Sequence, residues 1–521
     1  MLLLALAAGV LLVQARRSSI GPVAELALVN ANVTPDGFTR LAVLPNGLLP
    51  GPPITGYKGD NFKINVHNYL TDHTMNETAT VHWHGIYQHG TNWADGTSMV
   101  SQCPLTSGDS FLYDFSVPDQ AGTFWYHSHE GLQYCDGLRG PFIVYDPHDP
   151  HKDLYDVDDD NTIITLFDWY HEPALEIPLF GNPDSILING MGRSLNDSVS
   201  PLSVITVTPG LRYRFRLISM SCNPYFNFTI DGHNFTIIEA DGQNTQPLPG
   251  INFVQIHSGQ RYSFILEANQ PIANYWIRAP AESESLSPTP PPQPGMAILR
   301  YRGAPEVEPE TKSELVQYPL IETNLHALTN PAAPGVPTID GADVDINLNV
   351  TFNLTELTYY VNDYTFAKPP VPILLQILSG KYAAQDLLPA GAVYTLPRNK
   401  TIQVTMPGGV FPAQHPMHLH GSSFSVIKSA GTGPADVGYN FVDPVRRDTV
   451  NIGLAGDFVT IRFDTHNPGP WMLHCHIDFH LYMGYAIVFA EDPEDTRHVN
   501  HPPPAWNELC PKYDTLPPAD T

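Results

Sequence analysis

Apolar and polar residues alternate along many short segments of the chain, and glycine or proline separates most of these segments. Residues 162–167, 213–217 and 458–463 are examples that are rich in β-branched and aromatic side chains. Short alternating runs of this composition, bounded by turn residues, are typical of β-strands in sandwiches or barrels. The pattern therefore predicts an all-β protein with few long helices.

One pair of segments recurs three times along the chain. A segment that begins with glycine precedes a second, aromatic segment at residues 108–115 and 122–129, 259–266 and 274–278, and 456–463 and 469–476. Such a repeat predicts that one structural unit is used three times. A chain of 521 residues also exceeds the size of a single core. We therefore predict domains over residues 19–148, 149–310 and 311–521, with the Pro-rich run 283–294 as a loop of the middle domain.

The balance of charge and the N-terminal segment restrict the class of protein. The formal net charge of -27 disfavours nucleic acids and anionic membranes as partners, because both would repel the chain. Residues 2–13 form a short apolar run before a small-residue cleavage site, which predicts a signal peptide over residues 1–18. We therefore expect a secreted, extracellular and monomeric glycoprotein. It contains eight Asn-x-Ser/Thr acceptors at Asn32, Asn76, Asn196, Asn227, Asn234, Asn349, Asn353 and Asn399.

Five cysteines are an odd number for an oxidising compartment. Two disulfides would leave one thiol, and Cys475 alone stands between two histidines, His474 and His476. We therefore assign Cys475 to a metal site and expect disulfides among the other four, whose pairing the residue pattern leaves open: Cys103, Cys135, Cys222 and Cys510.

Four His-x-His pairs lie in the first and third copies of the repeat. On an extended strand the two histidines of a pair point to the same face and the residue between them to the other. Eight imidazoles that converge between two domains are enough for a cluster of metal ions. His415, Cys475 and His480 remain, and they provide the two imidazoles and one thiolate of a blue-copper site. The four pairs are His82 and His84, His127 and His129, His418 and His420, and His474 and His476.

Ordinary surface strands and zinc sites are the alternatives to a copper centre. A single His-x-His is more often an ordinary strand, but four pairs in two matched sets, one of which encloses Cys475, favour metal ligands. Zinc uses the same residue types, yet it has no redox chemistry. Adjacent residues that join a thiolate site to a histidine cluster are useful for moving electrons, so the pattern predicts copper.

The segments around these motifs resemble the multicopper oxidases, and in particular the secreted laccases of basidiomycete fungi. The resemblance rests on residues 91–96, 117–129, 133–142 and 468–471 and covers nearly all of the mature chain. It implies three consecutive cupredoxin-like domains, which are Greek-key sandwiches or barrels, with four copper ions. It also implies one-electron oxidation of phenols and aromatic amines coupled to reduction of dioxygen to water, with a role in lignin or phenol degradation.

The resemblance also assigns roles to individual residues. It implies a type 1 copper on His415, Cys475 and His480, and it makes Cys475, His474 and His476 the electron route. It places substrate at an exposed edge of His480 near Asn223 and makes Asp95 and Asp478 proton carriers, with Asp448 a weaker candidate. It pairs Cys103 with Cys510 and Cys135 with Cys222. The remaining copper ligands are His82 and His418 for type 2, and His84, His127 and His476, with His129, His420 and His474, for the two type 3 ions.

Three positions depart from the usual pattern of these oxidases. Asn223 follows Cys222 where many relatives have a carboxylate, and residues 130–133 replace a hydroxyl-rich turn. Tyr485 stands at the axial position in place of Phe, Leu or Met, and we expect its hydroxyl to be hydrogen-bonded and off the metal. A ferroxidase or an ascorbate-oxidase-like enzyme is the nearest alternative function. A copper-storage or electron-carrier protein is a further alternative, which the complete ligand sets of both centres disfavour.

Overall fold

The computed structural model describes residues 18–178, 181–197, 199–282, 292–313, 317–411, 414–434 and 436–517. The predicted signal peptide, apart from residue 18, and most of the predicted loop at 283–294 therefore lie outside the described residues. The strands are β1 (Val23–Val33), β2 (Arg40–Pro45), β3 (Ile54–Tyr57), β4 (Asn61–Asn68), β5 (Val81–His84), β6 (Ser110–Ser116), β7 (Gly122–Ser128), β8 (Arg139–Tyr145), β9 (Ile163–Trp169), β10 (Ser185–Ile188), β11 (Val204–Val207), β12 (Arg212–Ser219), β13 (Tyr225–Ile230), β14 (Phe235–Ala240), β15 (Gln243–Ile251), β16 (Val254–Ile256), β17 (Arg261–Glu267), β18 (Asn274–Ala279), β19 (Ala281–Glu282), β20 (Gly295–Tyr301), β21 (Val344–Asn347), β22 (Val350–Asn353), β23 (Thr358–Val361), β24 (Val393–Leu396), β25 (Thr401–Pro407), β26 (Pro416–Leu419), β27 (Phe424–Lys428), β28 (Arg446–Arg447), β29 (Thr449–Asn451), β30 (Phe458–Asp464), β31 (Gly469–Cys475) and β32 (Ala486–Glu491).

Helices are short, as the turn-rich sequence predicts. None of the α-helices in the described ranges exceeds two turns, and none is long and apolar enough to cross a membrane. The all-β prediction is therefore confirmed. The helices are α1 (Ile373–Leu378), α2 (Asp478–Tyr482), α3 (Pro493–Val499), α4 (Pro504–Asn507) and α5 (Leu509–Tyr513).

Most strands sort into three pairs of sheets that follow one another along the chain, while β22 and β23 form a separate two-stranded sheet and β19 pairs with β13. The first domain has sheets β2-β1-β4-β6 and β3-β8-β7-β5. The middle domain has β10-β9-β12-β17-β14-β15 and β11-β20-β18-β13-β16, and the third has β21-β25-β30-β27-β28 and β24-β32-β31-β26-β29. β8 ends at Tyr145 and β20 at Tyr301. The predicted boundaries thus fall between strands, and their positions stay predictions.

The sequence repeat corresponds to the same structural step in each domain. Its first segment forms β6, β17 or β30 in one sheet, and its second forms β7, β18 or β31 in the other sheet. Every residue of β7 and β31 is buried. Since these two strands carry histidines, the repeat places polar side chains inside the protein, where each needs a partner.

Both disulfides join parts of the chain that are distant in sequence. Cys103 pairs with Cys510 on α5 across 407 residues, and Cys135 pairs with Cys222 across 87. Around the first of them, Trp506 and Leu509 from the C-terminal helices pack into the core of the first domain. The C-terminal helices α4 and α5 are therefore fixed to the first domain.

One buried arginine connects all three domains. Arg261 on β17 donates to both carboxylate oxygens of Asp448, which lies between β28 and β29, at 2.7 Å each. Its Nε donates to the Thr123 carbonyl of β7 at 3.0 Å. Arg261 is fully buried and Asp448 nearly so. The paired charges compensate each other only when the domains are docked together.

Replacing Arg261 by leucine should therefore destabilise the protein strongly, since the Asp448 carboxylate would stay buried without its partner. Loss of one member of a buried pair costs about 3 to 5 kcal/mol. Denaturant unfolding measures the change. Arg212→Leu is the matched control, because Arg212 on the neighbouring strand β12 pairs with Asp156 on the surface and should contribute little. Equal losses in the two variants would contradict the assigned role of Arg261.

Candidate metal centre

Two histidines and one cysteine form a compact group at the end of β31. Cys475 Sγ lies 3.4 Å from His415 Nδ1 and 3.6 Å from His480 Nδ1, and the two nitrogens are 3.1 Å apart. His415 precedes β26, and His480 lies on α2. The other ring nitrogen of His415 lies 2.9 Å from the Val410 carbonyl and can donate to it, so Nδ1 is left with a lone pair. Three soft or borderline donors therefore point at one position.

The expectation of an exposed edge on His480 is wrong. The residue is 1% exposed, and the rings of Tyr359 and His415 pack with their centroids 5.1 and 4.8 Å from the His480 ring. Packed side chains therefore separate a substrate at the surface from this donor group.

Tyr485 packs on another side of the group formed by His415, Cys475 and His480. Its ring lies 5.1 Å from that of His415 and stacks on Tyr359 at 4.8 Å. Burial, together with the nearby Cys475, raises the pKa of Tyr485 well above its ordinary value, so the side chain is a neutral phenol. The proposed hydrogen bond of its hydroxyl stays a prediction.

The four His-x-His pairs meet between the first and third domains. Their donor atoms form three sets, and within each set the atoms lie within 4.8 Å of one another. The closest approaches are 3.1 Å from His84 Nδ1 to His476 Nε2 and 3.1 Å from His420 Nε2 to His474 Nε2. The sets are His82, His84 and His418; His84, His127 and His476; and His129, His420 and His474.

Hydrogen bonds at the back of the rings decide which nitrogen faces the cluster. In four histidines Nδ1 lies 2.7 to 2.9 Å from a backbone carbonyl, which accepts its proton. His420 Nδ1 uses Asp95 Oδ2 at 2.9 Å. His84 is reversed, since its Nε2 lies 3.2 Å from Asp448 Oδ1 and its Nδ1 faces the cluster. The four with carbonyl partners are His82, His127, His418 and His474.

Buried nitrogens without hydrogen-bond partners test whether metal ions fit here. The Nε2 atoms of His82, His127, His129 and His418 are buried and have none in the described part of the chain. Unpaired buried nitrogens cost free energy, whereas coordination to a metal would satisfy all four. Burial also lowers the pKa of His129 and of His480 to about 3, which keeps both imidazoles in the neutral form that binds metals.

The three candidate proton carriers lie in different surroundings. Burial raises the pKa of Asp95, but the neighbouring His420 and His82 outweigh it and hold this pKa well below its usual range. Burial raises the pKa of Asp478 well above that range, and its Oδ2 lies 3.4 Å from Cys135 Sγ. Asp448 is engaged by Arg261. Proton transfer by any of them stays a prediction.

Asn223 lies in a turn that contacts the segment before His480. The Asp478 amide donates to the Cys222 carbonyl at 2.9 Å, and the Asn223 amide donates to Asp168 Oδ2 at 3.1 Å. Asn223 itself is 9% exposed. The unusual turn at 130–133 also has a defined environment, because the fully buried Glu130 pairs with Lys368 of the third domain.

Sequence reasoning missed the contributions of Arg261, Tyr359 and the middle domain. Arg261 is a single cation within a strand, and Tyr359 is one aromatic among many in β-segments. Their partners are distant in sequence, so no local motif reveals them. For the middle domain, the available sequence signal was the repeat itself, whose middle copy opens with Gly259.

Comparisons with known proteins agree with this geometry. Three family models, each described as multicopper oxidase, match residues 27–149, 160–304 and 366–495. The chain is 60% identical to laccase-1 of Fomitopsis schrenkii over 96% of this chain and 93% of that protein. It is 55% identical to the laccase of Phlebia radiata over 96% of both chains.

Solved structures give the same result. Fet3p, a multicopper oxidase that functions in iron import, has a TM-score of 0.83 at 25% identity, over 96% of both chains. The laccase of Botrytis aclada has a TM-score of 0.81 at 29% identity, over 96% of this chain and 93% of that one. The prediction of three cupredoxin-like domains is confirmed, and the chain belongs to the multicopper oxidase family.

Proposed function

We propose that the protein is a secreted laccase that oxidises phenols and aromatic amines with dioxygen. The observation that carries the proposal is the covalent connection between the two donor groups. Cys475 belongs to one group, and its immediate neighbours His474 and His476 belong to the other. Full-length similarity to fungal laccases supports the same activity.

In this proposal His415, Cys475 and His480 hold the type 1 copper, and His82 and His418 hold the type 2 copper. The type 3 ions are held by His84, His127 and His476, and by His129, His420 and His474. When bound, these four coppers would supply one-electron redox chemistry, by which single electrons from four substrate molecules, with four protons, reduce one dioxygen to two waters. The protein orients the donors through the carbonyls and carboxylates behind their rings and excludes bulk water by burial.

We also propose that the protein is a fungal secretory product, which the same comparison and the predicted signal peptide support. The relatives named above are laccases, and the resemblance to basidiomycete laccases makes lignin or other plant phenols the proposed substrate source. Five of the eight acceptor asparagines are exposed, as glycosylation requires: Asn32, Asn196, Asn234, Asn349 and Asn399. A monomer without nucleic-acid or membrane partners completes the proposal.

A ferroxidase is the second candidate, because the fold is also shared with Fet3p. Oxygen uptake by the copper-loaded protein with dimethoxyphenol, ascorbate or ferrous iron separates the candidates. We expect the highest kcat/KM with dimethoxyphenol. Preference for iron would establish the ferroxidase, and copper binding without oxygen uptake would establish a storage or carrier protein.

Cys475→Ser should abolish the intense thiolate-to-copper visible band and nearly all phenol oxidation, while the histidine cluster still binds copper. A serine hydroxyl is a poor ligand for copper and cannot replace the thiolate. Visible spectra and copper content per chain measure both effects. The double variant C103S/C510S removes sulfur elsewhere and should stay blue. Retained blue colour in Cys475→Ser would refute the type 1 assignment.

Asn223→Asp should increase kcat/KM for phenols at pH values where the new carboxylate is ionised, above its ordinary pKa of about 3.9. A carboxylate can accept the phenolic proton as the electron leaves, whereas an amide oxygen only forms a hydrogen bond. The pH dependence of kcat/KM is the measurement. Asn161→Asp adds the same charge in an exposed turn and should have no effect. An unchanged profile in Asn223→Asp would place this residue outside the substrate site.

Tyr485→Phe should change the reduction potential of the type 1 copper little, because a neutral phenol packs as an aromatic ring. Tyr485→Met should lower the potential, since a thioether can donate weakly to copper and favour the oxidised ion. Redox titration with visible spectra of both variants is the test. A large rise in potential and an altered spectrum in Tyr485→Phe would show that the tyrosine oxygen is a ligand.

A further inference from the structure

A loop of the middle domain lies against the histidine cluster. Among the residues that the structure describes, this domain supplies none of the donor atoms of the cluster. The loop consists of residues 257–260, between β16 and β17. A Cβ on Gly259 would lie 2.8 Å from His476 Cδ2 and 3.1 Å from His84 Cε1. Gly259 also has a φ of +81°, a backbone angle that residues with a side chain rarely adopt. The backbone here is therefore packed directly on two donor rings.

The neighbouring Ser258 reaches the back of one of those rings. Its Oγ donates to the Ser221 carbonyl and lies 3.1 Å from His476 Nδ1. A hydroxyl has one proton, so with that proton directed to Ser221 its oxygen can only accept from His476. Ser221, Ser258 and His476 are all at most 2% exposed, so water does not compete for these contacts.

Accepting the Nδ1 proton determines the state of the His476 ring. It leaves Nε2 without a proton, and Nε2 is the atom that lies 3.1 Å from His84 Nδ1 inside the cluster. Nδ1 also faces the carbonyl of its own residue, so the ring proton has two acceptors, that oxygen and Ser258 Oγ, and both require the proton on Nδ1. Tyr134 Oη donates at a shorter distance to the Ser221 carbonyl, at 2.9 Å. Groups that hydrogen-bond the far nitrogen of a ligating histidine fix its tautomer and its orientation.

We propose that Ser258 is a positioning residue for His476, through which the middle domain controls the geometry of one type 3 copper. The inference rests on the ligand role proposed above for His476. Because His476 follows Cys475 directly and belongs to the proposed electron route, the contact also fixes a ring on that route. Docking of the middle domain would thus be required for a complete cluster.

Ser258→Ala tests the proposal, with Ser219→Ala as its matched control. Ser219 is a buried serine of the same domain whose Oγ has no hydrogen-bond partner within the described ranges, while its backbone pairs with the same loop through Gly259 and Gln260. Copper retention during dialysis against a chelator and electron paramagnetic resonance of the coupled copper pair are the primary measurements. Steady-state kcat/KM is measured separately for oxygen and for phenol.

We expect about tenfold faster loss of cluster copper and a comparable fall in kcat/KM for oxygen in Ser258→Ala, the range usual for such partners. The visible thiolate band and the kcat/KM for phenol should stay unchanged, as should all properties of Ser219→Ala. Wild-type copper retention and oxygen kinetics in Ser258→Ala would overturn the proposal. If the wild-type protein itself bound no cluster copper, the proposed function would fail instead, so the two failures are distinguishable.

Ser258→Thr and Ser258→Val provide a second pair, because they have nearly the same shape and differ in the hydroxyl. Threonine should retain copper better than valine by the same factor. This comparison holds even if Ser258→Ala does not fold, since any overpacking is common to both variants. Equal copper retention in the two variants would overturn the proposal.

Discussion

The structure depends on the burial of ten imidazoles and one thiol in a space where each polar atom needs a partner. One nitrogen of most rings is satisfied by a carbonyl, a carboxylate or a hydroxyl, which leaves the other directed at a shared position. A fold that supplies only some of these contacts would leave several unpaired buried nitrogens. Metal binding and correct docking of the domains are therefore linked in free energy.

Burial on this scale also explains why charged groups surround the cluster. Asp448 accepts from Arg261 and contacts His84, so one carboxylate connects a cation of the middle domain with a ligand of the first. Burial alone would raise the pKa of Asp448, yet Arg261 and His84 hold it well below its usual range. The same contacts that keep this carboxylate ionised fix the reversed orientation of the His84 ring.

The thiol site has a different, mostly aromatic environment. Tyr485 and Tyr359 stack beside His415 and His480 and keep solvent away from the sulfur. The hydroxyl of Tyr359 donates to the Phe411 carbonyl at 3.1 Å, and burial keeps Tyr485 a neutral phenol. Polar partners lie behind the rings of the histidine cluster, and in the thiol site the Val410 carbonyl lies behind His415 in the same way. The two centres are thus separated by environment although they share one strand, β31.

The sequence by itself determined the strands, the three-fold repeat and the face on which each paired histidine lies. These properties depend on the two-residue period of extended backbone and on local composition, and they hold for His474, Cys475 and His476 although β31 itself ends at Cys475. The resemblance to known oxidases added the grouping of the ligands.

Only the tertiary structure decided which ring nitrogen of His84 points inward, how deeply His480 is buried, and that Arg261 and Ser258 reach the cluster. These features arise from contacts between residues that are far apart in the sequence. Arg261 and Asp448 are 187 positions apart, and His84 and Asp448 are 364 positions apart. Such contacts depend on how three domains dock, and docking leaves no periodic pattern in the sequence.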